Sequence, residues 1–318
     1  LGAGLPLNVL SIEVDPEGTL WAGWQARVGS ATLARLSRWT GTAWEDSPEQ
    51  VSGVSVRALR GDTAGGIVVG GQISGMGEVA ASGIARLGSE GVTTFGDGGI
   101  KPVDEFFTLP SGEILAIGEV PTREGTLDLT LVRWTGQQWE RHSSGSPNLM
   151  TAAAVLPDGD LIAVGGFTSA GGVAARGAAR FDGQTWHPMG TGFAGTPFSV
   201  LVRDDGKIFV AGQISSLSGV NRFGGVATWN GSAWVSVGTT TQNGLIDIRA
   251  AALTPGGQLV VGGGFSTIAG IAANRVAIWD EEEGRWSALG SGVTGTGFVR
   301  AVRVLSDGRI VIGGSFST

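Results

Sequence analysis

The chain contains no cysteine and no tyrosine, and only two histidines in 318 residues. Without cysteine there is no disulfide, no thiolate metal site and no cysteine nucleophile, although the compartment stays open. Charged residues reach only 15% and sum to −7, so the surplus of Lys and Arg that grips a phosphate backbone is missing and no nucleic-acid partner is expected. No apolar run approaches the roughly 18–20 residues of a membrane span, which excludes membrane insertion by this segment. No signal-peptide pattern is visible. Catalytic groups are scarce: no Ser-His-Asp set, histidine pair or phosphate loop assembles from local spacing, so no catalytic residue, metal or cofactor is expected.

What the chain has in abundance is glycine, 57 residues of it. Seven glycines keep a register: Gly18, Gly65, Gly112, Gly159, Gly206, Gly257 and Gly308, with four intervals of 47 residues and then two of 51. A fixed period of this size marks a repeat architecture. Each register glycine closes a turn such as Ser306-Asp307-Gly308 between two apolar runs, here Val299 to Leu305 and Arg309 to Gly314. These runs read as strands A and B of a hairpin, continuous rather than alternating. A Gly- and Ala-rich loop follows, then strand C ending on an aromatic residue and strand D opening on another. The aromatic pairs are Trp39/Trp44, Trp134/Trp139, Phe181/Trp186, Trp229/Trp234 and Trp279/Trp286, with Leu87 and Phe95 in those places in repeat two. Four strands per repeat predict an all-β fold, a β-propeller of four-stranded blades occupying residues 1–318 as a single domain. The opening Leu1-Gly2-Ala3-Gly4-Leu5 matches Leu289 to Val293, and Thr318 falls just after a strand B. The expectation is therefore seven blades, the last one incomplete, in a chain that is part of a longer protein.

The stretch from Leu156 through Gly190 (hairpin Asp-Gly, Gly-Gly-Phe-Thr, an Ala-Gly-Gly loop, Ala-Arg-Phe-Asp-Gly, Trp, Met-Gly) resembles the kelch-like repeats of bacterial secreted and surface proteins. It is also similar to the propeller repeats of the fungal cortical marker family Rax. Ile84-Ala85-Arg86-Leu87 with Thr94-Phe95-Gly96 resembles the delta-sixty type of bacterial repeat. The resemblance implies a propeller at the cell surface or outside the cell, and transfers no activity. Copper oxidases of the kelch group need tyrosine and cysteine at the metal, and this chain has neither.

Candidate site residues come from two places. Eight positions before each register glycine stand Leu10, Arg57, Asp104, Thr151, Phe198, Arg249 and Arg300. In a propeller this is the start of strand A, at one mouth of the central channel. Two arginines roughly 10 Å apart at an effective dielectric near 20 repel by about 1.7 kcal/mol. A bound carboxylate, phosphate or acidic sugar would relieve that repulsion, as would Asp104 beside Arg57. The next position is small in six repeats (Ser11, Ala58, Ala152, Ser199, Ala250, Ala301) and Glu105 in the third. Glu105 could act as an acid, a cation ligand or the partner of an arginine. The expected ligand-binding set is thus Arg57, Asp104, Glu105, Thr151, Arg249 and Arg300.

The second place is the aromatic residues. Fully exposing an indole is costly, so most tryptophans are expected between blades. Trp21 and Trp24 break the repeat, Trp24 standing where the other repeats have a strand-B glycine, and form a candidate aromatic rim. His142 and His187 read as solvated rim residues, and the acids Asp158/Asp160, Asp204/Asp205 and Asp307 as hairpin residues. Arg60-Gly61-Asp62, Asn230-Gly231-Ser232 and Asp280-Glu281-Glu282-Glu283 read as turn chemistry. The function expected is a non-catalytic binding scaffold for a protein or glycan, with an anionic ligand favoured by the arginines. The alternatives are a lectin using inter-blade aromatics, or a polysaccharide-active enzyme centred on Asp104 or Glu105.

Overall fold

The computed structural model describes residues 4–5, 8–62, 65–96, 100, 102–109, 113–121, 127–142, 147, 149–217, 220–221, 225–237 and 247–316. Gly112, the opening Leu1-Gly2-Ala3 and the closing Ser317-Thr318 lie outside them. The chain divides into two compact units, Leu1–His142 and Ser143–Thr318. Among the described residues no helix is long and apolar enough to cross a membrane.

Unit one holds three antiparallel sheets in the order A-B-C-D. Their strands are Val9–Val14, Leu20–Val28, Ala31–Trp39 and Trp44–Asp46; Val51–Gly61, Ile67–Met76, Ile84–Gly88 and Gly91–Thr94; and Val103–Thr108, Ile114–Pro121, Leu127–Trp134 and Trp139–Arg141. Unit two holds three more: Met150–Val155, Leu161–Gly165, Ala178–Phe181 and Trp186–Pro188; Phe193–Val202, Ile208–Leu217, Val226–Trp229 and Trp234–Ser236; and Ile248–Leu253, Leu259–Gly263, Val276–Asp280 and Arg285–Ala288. A two-stranded hairpin, Gly297–Val304 with Ile310–Phe316, ends it. The fold is a β-propeller. Six blades are complete among the described residues, and the expected seventh is present as its A–B hairpin alone.

The turns obey the glycine register. Gly18, Gly65, Gly159, Gly206, Gly257 and Gly308 all adopt left-handed backbone, φ between 78° and 93°. A side chain is disfavoured there, which is why glycine recurs. In the fourth blade the turn is closed by the Gly159 N–H donating to the Leu156 carbonyl (2.9 Å), and in the last hairpin by Gly308 to Leu305 (2.9 Å).

The aromatic pairs mark the C–D register: Trp39 faces Trp44, Trp134 faces Trp139, Phe181 faces Trp186, Trp229 faces Trp234 and Trp279 faces Trp286. Their ring centroids lie 5.0–5.6 Å apart. Repeat two differs from expectation. Leu87 pairs with Val92, and Phe95 lies beyond strand D, where it packs edge-on against Trp134 of the next blade at 5.4 Å.

The core lies between successive sheets. One cluster joins the fourth and fifth blades through Ile162, Val164, Val210, Ile214 and Trp234, and another joins the fifth and sixth through Phe209, Val261, Phe265 and Trp286. The D-strand indoles staple these joints: Trp234 Nε1 donates to the Met189 carbonyl (3.2 Å) and Trp286 Nε1 to the Val237 carbonyl (3.3 Å). Strand B is buried along its length in the fourth and sixth blades, Leu161–Gly165 and Leu259–Gly263, because neighbours cover both its faces. Strand A corrects the expectation of a continuous run. Val9–Val14 alternates buried with half-buried residues, as befits the edge of its sheet.

Candidate functional site

The position eight residues before each register glycine has a structural identity that spacing alone does not reveal. In every A–B ladder the register slips there: between Val9 and Ser11, Val56 and Ala58, Val103 and Glu105, Met150 and Ala152, Pro197 and Ser199, Ile248 and Ala250, and Val299 and Ala301. Leu10, Arg57, Asp104, Thr151, Phe198, Arg249 and Arg300 are thus the extra residues of seven β-bulges. A bulge leaves its residue out of the ladder and re-aims its side chain, a device common beside functional sites.

In several repeats a strand-B glycine lets the chain pass close beside the bulge. A Cβ on Gly71, Gly165, Gly263 or Gly314 would collide with the strand-A carbonyl of Ser55, Leu149, Asp247 or Phe298 respectively. At these four positions the approach is too close for any side chain. The residue after each bulge faces a strand-B residue that is small in most repeats, Ala58 opposite Gly70, Ala250 opposite Gly262 and Ala301 opposite Gly313. Glu105 is half-buried opposite Ile117.

The two units treat their bulge residues differently. In unit one, Arg57 Nη1 donates to Asp104 Oδ1 at 2.9 Å, joining the bulges of successive blades, while Arg57 Nε donates to Ser55 Oγ at 3.1 Å. The pair is open to solvent, with 41% and 30% of the two side chains exposed, so it contributes little to stability. It does neutralise Arg57. In unit two, Thr151 donates its hydroxyl to the Pro197 carbonyl of the next blade at 2.6 Å, and Phe198 is half-buried.

Arg249 and Arg300 form a cluster. The Arg249 guanidinium lies 4.4 Å and that of Arg300 5.7 Å from the centroid of one ring, Phe298. Arg249 donates through Nε (3.0 Å) and Nη2 (2.9 Å) to Asp247 Oδ2, and Gln213 Nε2 donates to Asp247 Oδ1 at 2.9 Å. This carboxylate, engaged at both oxygens by Arg249 and Gln213, makes no hydrogen bond to Arg300 among the described residues. Arg300 is half-buried, and its Nε is shut off from solvent with no hydrogen-bond partner among the described residues. Burial lowers its pKa below the usual arginine value; Arg249 pushes the same way, and Asp247 opposes them in part. Gly264 makes room for this cluster, since a Cβ there would meet the Phe298 ring at 2.5 Å.

Trp21 and Trp24 do not form an exposed rim. Trp21 is 7% and Trp24 6% exposed. The Trp21 indole donates to Asp15 Oδ2 at 2.7 Å and the Trp24 indole to Ser37 Oγ at 2.9 Å, so both polar handles are satisfied inside the first blade. The half-exposed indoles are instead Trp39, Trp134, Trp229 and Trp279, which end strand C, with Trp44 and Trp139, which open strand D. Sequence reasoning missed them because they follow the consensus.

Other expectations are refined. His187 is exposed and held by Asp182 (2.7 Å) and Thr185 (3.0 Å). His142 is half-buried rather than solvated, and burial lowers its pKa. Asp62 of Arg60-Gly61-Asp62 is ion-paired with Arg86. Asn230 caps its own turn, accepting from the N–H groups of Ser232 (3.0 Å) and Ala233 (2.8 Å). The acidic turn is more than a solvated run. Asp280 caps Glu282 and Glu283, while Glu281 binds Arg203 (2.7 Å) and Lys207 from the preceding blade.

These sheets define the class, a β-propeller with an A-strand bulge in each repeat, and comparison with known structures agrees. The chain is similar to the extracellular domain of a hybrid two component system from B. thetaiotaomicron (TM-score 0.61, 10% identity, covering 100% of this chain and 38% of that one). It is similar to a catalytically inactive virginiamycin B lyase from Staphylococcus aureus with quinupristin (TM-score 0.57, 13% identity, 98% and 94% covered). It is also similar to a puromycin-hydrolyzing peptidase of Mycobacterium tuberculosis (TM-score 0.59, 14% identity, 96% and 52% covered). At these identities the likeness is one of fold, and the chain spans about two fifths and half the length of the first and third. No family model and no curated protein matches the chain.

Proposed function

We propose that this chain is a non-catalytic binding propeller whose strand-A bulges carry the recognition residues. In unit two, Arg249 and Arg300 take an anionic group, a carboxylate, a phosphate or an acidic sugar. The observation that supports this most is the state of Arg300, which is half-buried beside a second arginine and without a hydrogen-bond partner at Nε among the described residues. An anion at the guanidinium pair relieves the like-charge repulsion and takes a charge-assisted hydrogen bond, although the buried Nε itself is out of its reach. Asp247 and Phe298 hold Arg249 in place beforehand, which lowers the cost of ordering it on binding.

In unit one, Arg57 is balanced by Asp104 and serves as the internal control. The kelch-like and delta-sixty affiliation, the cell-surface or extracellular setting and the choice of a protein or glycan as partner belong to the same proposal. They rest on the sequence resemblance.

An array of acidic glycans and phosphorylated ligands, probed with wild type, Arg57→Ala, Arg249→Ala and Arg300→Ala, tests the site. Binding should survive Arg57→Ala and weaken at least about tenfold in the other two variants. Equal binding by all four proteins would remove the arginine pair from the function.

A further inference from the structure

A cleft of about 590 Å³ opens between the fourth and fifth blades, both within unit two, and falls in the size range of small-molecule sites. It is remote in kind from the arginine pair. Its walls are the A–B hairpins and outer strands, whereas the bulges lie at the opposite end of strand A. The floor is apolar, with Leu156, Met189, Ile208 and the half-exposed indole of Trp229. The rim carries Asp158, Arg180, His187, Asp204 and Asp205.

The next joint in the same unit shows why this one is open. Between the fifth and sixth blades Arg203 and Lys207 reach across to Glu281, and Arg203 Nη1 also reaches the Gly257 carbonyl at 3.5 Å. Those three side chains bridge the two blades there. At the same repeat positions the fourth and fifth blades carry Leu156 in place of Arg203, Asp160 in place of Lys207 and Gly231 in place of Glu281. No clasp can form from these residues, and Asp160 turns instead to Arg180 at 2.5 Å.

The cations at the rim are already engaged before any ligand arrives, and the carboxylates outnumber them. Arg180 binds Asp158 (2.9 Å) as well as Asp160, and Asp205 is held by Arg203 through two hydrogen bonds of 2.9 and 2.6 Å. His187 is fixed by Asp182 and Thr185. What remains is hydrogen-bonding capacity of both kinds: carboxylate oxygens that accept, and the Arg180 Nη1 group, which donates to none of the described residues. Three carboxylates disfavour an anion, and Arg180, bonded to Asp158 and Asp160, offsets their charge in part. A ligand with closely spaced hydroxyls, each both donor and acceptor, and one face of C–H groups to lay on an indole satisfies every wall. From this juxtaposition we infer that the cleft binds a neutral saccharide, with Trp229 as platform and Arg180, Asp158 and Asp204 as hydroxyl partners.

This site stands or falls independently of the anion site. Free neutral hexoses, 6-deoxyhexoses, N-acetylhexosamines and their disaccharides are titrated into the chain by calorimetry and ligand-observed NMR. The variants are Arg180→Gln, Trp229→Phe and, as a distant control, Arg309→Gln, an exposed hairpin arginine paired with Asp307. Near-UV circular dichroism checks that each keeps its packing. The expected result is one saccharide per chain, weakened about tenfold or more by Arg180→Gln and by Trp229→Phe and unchanged by Arg309→Gln. Silence across all the sugars overturns the inference. So does saccharide binding that ignores both cleft substitutions, or a Lys- and Arg-rich peptide binding the cleft where the sugars do not.

Discussion

Arg300 shows how a single residue carries the account. Its ionised form is disfavoured by folding, because burial and Arg249 act against it and Asp247 answers only in part. A base whose folded pKa is lowered subtracts stability wherever it stays charged, which for arginine means the whole accessible pH range. Arg300→Met keeps an unbranched stem beside Phe298 and removes the charge, so chemical denaturation should find it at least as stable as wild type. Asp247→Asn should do the reverse. It withdraws the carboxylate that Arg249 binds and should cost about 1–3 kcal/mol. If Arg300→Met destabilises as much as Asp247→Asn, the arginine is a structural partner and not a poised ligand. Trp21 and Trp24 teach the complementary lesson. They stood out because they break the repeat, yet both are interior residues with satisfied indoles.

At the scale of the element, the bulge joins glycine to function. Strand B must be bare at Gly263 for the Asp247 carbonyl to lie over it, beside the slip between Ile248 and Ala250. Gly263→Ala should therefore destabilise the sixth blade by about 1–3 kcal/mol, as overpacking does. It should also weaken anion binding, since Arg249 leaves the bulge only in the present geometry. Stability without a change in binding, or binding lost with no change in stability, would separate the two roles assigned to this glycine. Trp24 marks the limit of the rule. The first blade keeps both its bulge and the hydrogen bond from the Gln25 N–H to the Asn8 carbonyl (3.1 Å) around a full indole.

Much at this scale was legible in the sequence. The glycine register placed the left-handed turns, and the aromatic pairs placed strands C and D, because both signals are local and repeat. The bulges were not legible as bulges. Counting back from the glycines found their positions, but an unpaired residue follows from which backbone crosses above strand B, and that contact is tertiary. Phe95 was misplaced for a related reason. Its aromatic ring matched the pattern of a strand-D opener, whereas its contacts belong to the next blade.

Within each unit neighbouring blades are joined by packing, with the Arg57–Asp104 pair added in unit one and, in unit two, indole hydrogen bonds and the ion pairs between the fifth and sixth blades. The sequence could not foresee the last, because Glu281 lies more than seventy residues from both Arg203 and Lys207. This clasp has a pH signature. Hydrogen bonds from Arg203 hold the Asp205 carboxyl down to about 2 from its ordinary 3.8, and Lys207 holds Glu281 low as well. A depressed carboxyl adds stability that is complete above its ordinary pKa and is lost as pH falls through the folded value. The stability gap between wild type and Asp205→Asn should be constant from neutrality to about pH 4 and close towards pH 2. A gap that persists unchanged in acid would mean that Asp205 acts by something other than its charge.

The central claim is that the unit-two arginines await an anion. Calorimetric titration of wild type and Arg300→Ala with phosphate, acetate and glucuronate, at low and at high salt, tests it most directly. The account predicts saturable binding of at least one of these anions by wild type, weakened by salt and lost in Arg300→Ala. No binding by wild type, or binding that Arg300→Ala leaves intact, would contradict it.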